Sequence, residues 1–137
     1  LPPLHQQAFD AVERGDFAGA IDAYDRALRE NPKDSLAREG RAQVALIGRT
    51  DGLVPSQVRA AAADRPSDVD AQLAVADLDV VGGQVEDAFS RLIDLVRVTF
   101  GPEREVIRER LVELFDVVGQ SDPRVAAARQ KLASALF

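Results

Sequence analysis

GDFAGAIDAYDRALRENPKD, from Gly15 to Asp34, decides how the rest of this chain is read. Its apolar residues recur three and four apart, at Phe17, Ala20, Ile21, Tyr24, Ala27 and Leu28. That spacing is the stripe of an amphipathic helix. Gly15 stands just before the stripe, where a tight turn needs a backbone angle that other residues resist. Pro32 stands just after it, where the missing N–H stops the hydrogen-bond ladder and the preceding residue is restricted. None of these side chains does chemistry, so each is placed for packing.

The pattern returns downstream. Pro32 pairs with Pro66, Asp34 with Asp68, Ala8 with Ala42 and Ala27 with Ala61 at a spacing of 34 residues. At twice that spacing Gly15 pairs with Gly83, Phe17 with Val85, Ala20 with Ala88, Ile21 with Phe89 and Tyr24 with Leu92. Small stays small and apolar stays apolar. This is the period of a tetratricopeptide unit, two antiparallel helices per repeat. In such a unit Ala20 marks the close approach of the second helix to the first, and Tyr24 and Leu28 fill the space toward the next repeat.

Working outward, the expected organisation is one tetratricopeptide-like, all-α domain over residues 1–137. Repeat 1 covers about 1–34, with a first helix around Leu4 to Arg14. A degraded repeat 2 covers 35–68. Gly40 falls inside its first helix, Arg49 takes the place of the turn glycine beside Gly48, and a shortened helix runs from about Pro55 to Asp64. Repeat 3 covers 69–101, recovers its turn as Gly82-Gly83, and ends in Phe100 where Pro is expected. A terminal helix pair covers 102–137. Pro102 suits a first helical position, and Gly119 closes that helix. Asp122 and Pro123 open the last one as cap and first residue. Repeat arrays need such a cap over their last exposed face. Eight helices and no strand are expected.

Composition narrows the function. The chain has no cysteine and a single histidine, His5. Thiol catalysis and cysteine zinc sites are therefore excluded for these residues, and no metal or cofactor is expected. The formal charge is −6, which makes a phosphate backbone a poor partner. No apolar run reaches the roughly 20 residues that cross a bilayer, so neither nucleic acid nor membrane is expected. Leu1-Pro2-Pro3 reads as the stub of a linker in a longer protein.

Three groups of residues invite a chemical reading. His5 has no partner visible in the sequence and reads as a surface histidine. Glu103, Glu105, Glu109 and Glu113 alternate with Arg104, Arg108 and Arg110; such mixed charge reads as a solvated helix face with weak ion pairs rather than an acid–base pair. Gly82-Gly83 lacks the surroundings of a phosphate loop. The expectation is binding without catalysis. The first helices of the repeats would line a groove carrying Phe9 and Glu13, then Gln43 and Leu46, then Asp77 and Val80. No lysine lines that groove, so an apolar or basic peptide fits it better than a carboxylate terminus. The apolar end LASALF adds Leu132, Leu136 and Phe137 as a second candidate protein-binding surface, or as a segment docked on its own core.

The order of these parts, with GGQVEDAFSRLIDLVR followed by ERLVELFDVVGQSDPRVAAARQKLASALF, resembles the C-terminal region of the thioredoxin-like co-chaperones called chaperedoxins, of the CnoX/YbbN type. The segment from Leu111 to Phe137 carries most of the resemblance. It implies a thioredoxin-like domain upstream of Leu1 and a cytoplasmic protein. It also implies a holdase that binds unfolded clients and hands them to a chaperonin or an Hsp70-type chaperone. Leu132, Leu136 and Phe137 match the end of the chain through which the family meets the chaperonin. A general tetratricopeptide scaffold for an unrelated complex is the competing reading.

Overall fold

The structure is a computed structural model that describes every residue from Leu1 to Phe137. Eight α-helices follow one another: α1 (Pro3–Glu13), α2 (Phe17–Glu30), α3 (Ser35–Thr50), α4 (Pro55–Asp64), α5 (Val69–Val81), α6 (Val85–Val98), α7 (Pro102–Val118) and α8 (Pro123–Leu136). The all-α class and the antiparallel hairpins are as expected. The chain forms two compact units, residues 1–51 and residues 52–137.

The recurring aspartates prove to be helix caps. Asp34 accepts a hydrogen bond from the Ala37 N–H at 3.0 Å, and Asp68 accepts one from the Ala71 N–H at 3.1 Å. Each satisfies a donor that the first helical turn leaves orphaned. Asp16 and Asp122 do the same for α2 and α8. Gly15 and Gly83 adopt positive φ angles of 75° and 84° at the hairpin turns. The turn between α3 and α4 is made elsewhere than the repeat spacing suggests. Gly48 stays helical, α3 runs on to Thr50, and Gly52 takes the positive φ, 76°.

In the first unit α1 and α2 meet through alanine. Ala8, Ala11, Ala20 and Ala23 are buried together with Val44 of α3, and Val12, Phe17, Ile21 and Tyr24 close around them. Gly40 is no flaw in α3. A Cβ there would lie 2.5 Å from the Tyr24 ring, so the missing side chain is what lets Tyr24 reach the helix.

In the second unit the core is larger in bulk. Leu92, Ile107, Leu111, Leu114, Val75, Val96 and Val125 are fully buried. Phe89 and Phe115 meet edge to face with centroids 5.0 Å apart, a favoured aromatic geometry. Each buried Leu or Ile contributes about 1.5–3 kcal/mol by leaving water.

The charged face of α7 is only partly solvated, contrary to expectation. Glu105 and Arg108 form an exposed ion pair at 2.6 Å. Arg110 instead reaches α5 and donates to the buried Asp77 at 2.7 Å. Arg104 donates to the Ala135 carbonyl at 2.5 Å, satisfying a carbonyl in the last turn of α8. A second buried carboxylate of α5, Asp79, is held by Arg59 of α4 at 2.8 Å.

Candidate functional site

The residues expected to bind a partner divide by burial. Phe9 and Glu13 of α1 are exposed, four residues apart on one helix face, and Gln43 of α3 is exposed as well. Leu46, Val80 and Leu132 lie in the core, and Asp77 is 2% exposed and engaged by Arg110. Leu46, Val80 and Asp77 present no surface to a partner, whereas Leu132 meets the outside only as the floor of the cleft described next. A helix stripe that faces a groove and one that faces the core have the same spacing, so periodicity cannot separate them. Leu136 is half-buried and Phe137 is fully exposed.

The end of the second unit forms a definite cleft. Between α7 and α8 lies a cavity of about 220 Å³. Its floor is Phe115 and Leu132, and its walls are Val112, Leu136 and Phe137. Arg108 and Arg129 stand at its edge. Arg129 donates to the Gln120 side-chain oxygen, and Gln120 donates in turn to the buried Asp116 at 3.0 Å. Arg108 is neutralised by Glu105, whose carboxyl is held below its usual range chiefly by the hydrogen bond from Arg108. The cleft thus offers apolar walls and one guanidinium, Arg129, that faces an amide rather than a carboxylate.

His5 has a partner after all. Its Nε2 lies 2.8 Å from Asp34 Oδ2, and its ring meets Tyr24 edge-on at 5.9 Å. The hydrogen bond from His5, followed by that from the Ala37 N–H, holds the Asp34 carboxyl below the ordinary aspartate range. The pair ties α1 to the start of α3. Its members are 29 residues apart; the recurrence of Asp34 as Asp68 was a signal for the cap, but nothing local points to His5.

No three His, Cys, Asp or Glu side chains are grouped so as to hold a metal ion. No helix is long and apolar enough to cross a membrane.

A tetratricopeptide repeat family model matches residues 48–137, and a second tetratricopeptide repeat model matches residues 5–51. The chain belongs to the tetratricopeptide repeat family. Tetratricopeptide arrays are non-catalytic scaffolds for protein–protein interaction, which is the general role of this chain. It is similar to uncharacterized proteins of Mycobacterium bovis and Mycobacterium tuberculosis, 39% identical over all 137 residues. The chain spans 45% of the length of these relatives. No solved structure matches it.

Proposed function

We propose that this tetratricopeptide chain is the protein-binding region of a thioredoxin-like co-chaperone of the chaperedoxin type. In this reading the whole protein works in the cytoplasm. It holds unfolded clients and passes them to a chaperonin or an Hsp70-type chaperone. The observation that carries the reading is the apolar edge of α8, where Phe137 stands free in solvent beside the α7–α8 cleft. A fully exposed phenylalanine next to Leu136 and Val112 gains by being covered. The resemblance of Leu111 to Phe137 to the chaperedoxin C-terminus supports the same surface. More than half of each mycobacterial relative lies outside the aligned region, which is room for a domain of ordinary size. Any thiol chemistry belongs there, because this chain has no cysteine. Phe9, Glu13 and Gln43 are the second surface, offered to client segments.

The test is co-elution of the chain with purified chaperonin, beside a Leu136→Ser/Phe137→Ser variant. Point changes are preferred to truncation because Leu132 is core, so removing it would disturb folding. The unaltered chain is expected to bind, and the variant to bind about tenfold more weakly, with equal helical circular dichroism. Equal binding by both moves the contact away from α8. A chain that does not bind at all overturns the co-chaperone reading and leaves a scaffold for another complex.

A further inference from the structure

The end of α8 brings no cation of its own. No basic residue stands in its last turn. The last four carbonyls of a helix find no donor within it, and a positive charge is favoured beside them. α8 receives that charge from another helix. Arg104, in the first turn of α7, donates from Nη2 to the Ala135 carbonyl at 2.5 Å, across 31 residues of chain.

For α7 itself Arg104 is out of place. A first helical turn carries partial positive charge and favours acids, and Glu103 and Glu105 stand on either side of it. The position of Arg104 is accounted for by α8. Its side chain is half-buried, and its Nε is buried without an acceptor, so the bond from Nη2 is what anchors the guanidinium. The ring of Phe100 lies against the same group, 6.0 Å from centroid to guanidinium carbon, at the outer reach of a cation–π contact. The core does not use Phe100, which is 75% exposed. Its ring serves Arg104 instead.

What this bond fixes is the apolar edge of α8. Leu136 and Phe137 follow Ala135 directly and form a wall of the α7–α8 cleft, while α8 as a whole lies chiefly against α6. A chain end that is not tied down frays. We infer that Arg104 is a latch: it ties the last turn of α8 to α7, with Phe100 as its cover, and so sets Leu136 and Phe137 where they meet a partner. Arg104 is thus a positioning residue that acts through α8. Its bearing on partner binding rests on the co-chaperone reading; the tie between the two helices does not.

The experiment follows amide hydrogen exchange by NMR in the 137-residue chain, beside co-elution of the same proteins with purified chaperonin. The variants are Arg104→Met, Arg104→Lys and Phe100→Leu. Arg104→Met keeps much of the apolar stem and removes the donors and the charge. It is expected to speed exchange at Ala135, Leu136 and Phe137 about tenfold, with the amides of Val125 to Leu132 and the thermal melt unchanged. It should also weaken chaperonin binding about tenfold. Arg104→Lys keeps the charge and a donor and should recover part of both losses. Phe100→Leu removes the ring and should give a smaller rise in exchange. A general packing role would instead lower the melt and speed exchange throughout α8. That result overturns the proposal, and so does unchanged exchange in the last turn. Local release of the last turn with undiminished chaperonin binding overturns the positioning role. If the unaltered chain does not bind chaperonin, the co-chaperone reading falls, and the exchange result alone upholds or overturns the latch.

Discussion

A single missing methyl group shows how much one residue can carry. On helix propensity alone, Gly40→Ala should stabilise α3 by about 1 kcal/mol. The new Cβ would lie 2.5 Å from Tyr24 Cζ, and forcing such overlap costs about 1–3 kcal/mol. The overlap wins, so Gly40→Ala is expected to lower stability by about 1 kcal/mol in urea melts. In a Tyr24→Ala background the sign should reverse, because only the propensity gain remains. A stabilising effect of Gly40→Ala in the unaltered chain would mean that Tyr24 moves aside without cost. The sequence shows Gly40 inside a helix, where it reads as a defect. Its reason lies on another helix, 16 residues away in the chain (Tyr24 to Gly40).

Among the elements, α7 separates charges that look alike. Arg108 follows Glu105 by three residues and Arg110 precedes Glu113 by three, and both read as surface. Arg108 pairs with Glu105 in solvent, an arrangement worth about 0–1 kcal/mol. Arg110 is 20% exposed and pairs with Asp77, which is 2% exposed. Removing one member of such a pair strands a buried charge, at about 3 kcal/mol or more. Urea denaturation should therefore find Arg110→Ala costly and Arg108→Ala nearly neutral. Asp77→Leu with Arg110→Met should recover most of the loss, since an apolar pair of similar volume leaves no charge behind. If Arg108→Ala and Arg110→Ala cost the same, the α5–α7 ion pair is not holding those helices. Period alone ranks Asp77 as a groove residue, because α5 is buried on nearly every side and has no polar face to orient it.

At the scale of the whole molecule, the two units are built from different material. The buried core of α1 and α2 is alanine, at positions 8, 11, 20, 23 and 27. That of α5 to α7 contains Leu73, Phe89, Leu92, Ile93, Ile107, Leu111, Leu114 and Phe115. Each additional buried methylene contributes about 0.8 kcal/mol, so the second unit opens less readily. Native-state hydrogen exchange should find the amides of α5 to α7 protected at least about tenfold more strongly than those of α1 and α2. Uniform protection along the chain would show that the 137 residues open as one. The alanine was legible from the start, because small residues recur where helices cross. The unequal depth of the two cores was not, since the repeat pattern ranks positions and not the bulk gathered around them.

The sequence alone determined the eight helices and most of their ends. Caps, prolines, turn glycines and apolar spacing act within a few residues of one another, and a period of 34 carries them from one hairpin to the next. Tertiary structure alone decided which members of each apolar stripe face solvent. It also decided which carboxylates are buried. Leu46 and Val80 turned inward, while Phe100, Val98 and Phe137 turned outward. His5 found Asp34, and Arg110 found Asp77. Those outcomes depend on side chains far apart in the chain meeting at contact distance, and no local spacing records such a meeting.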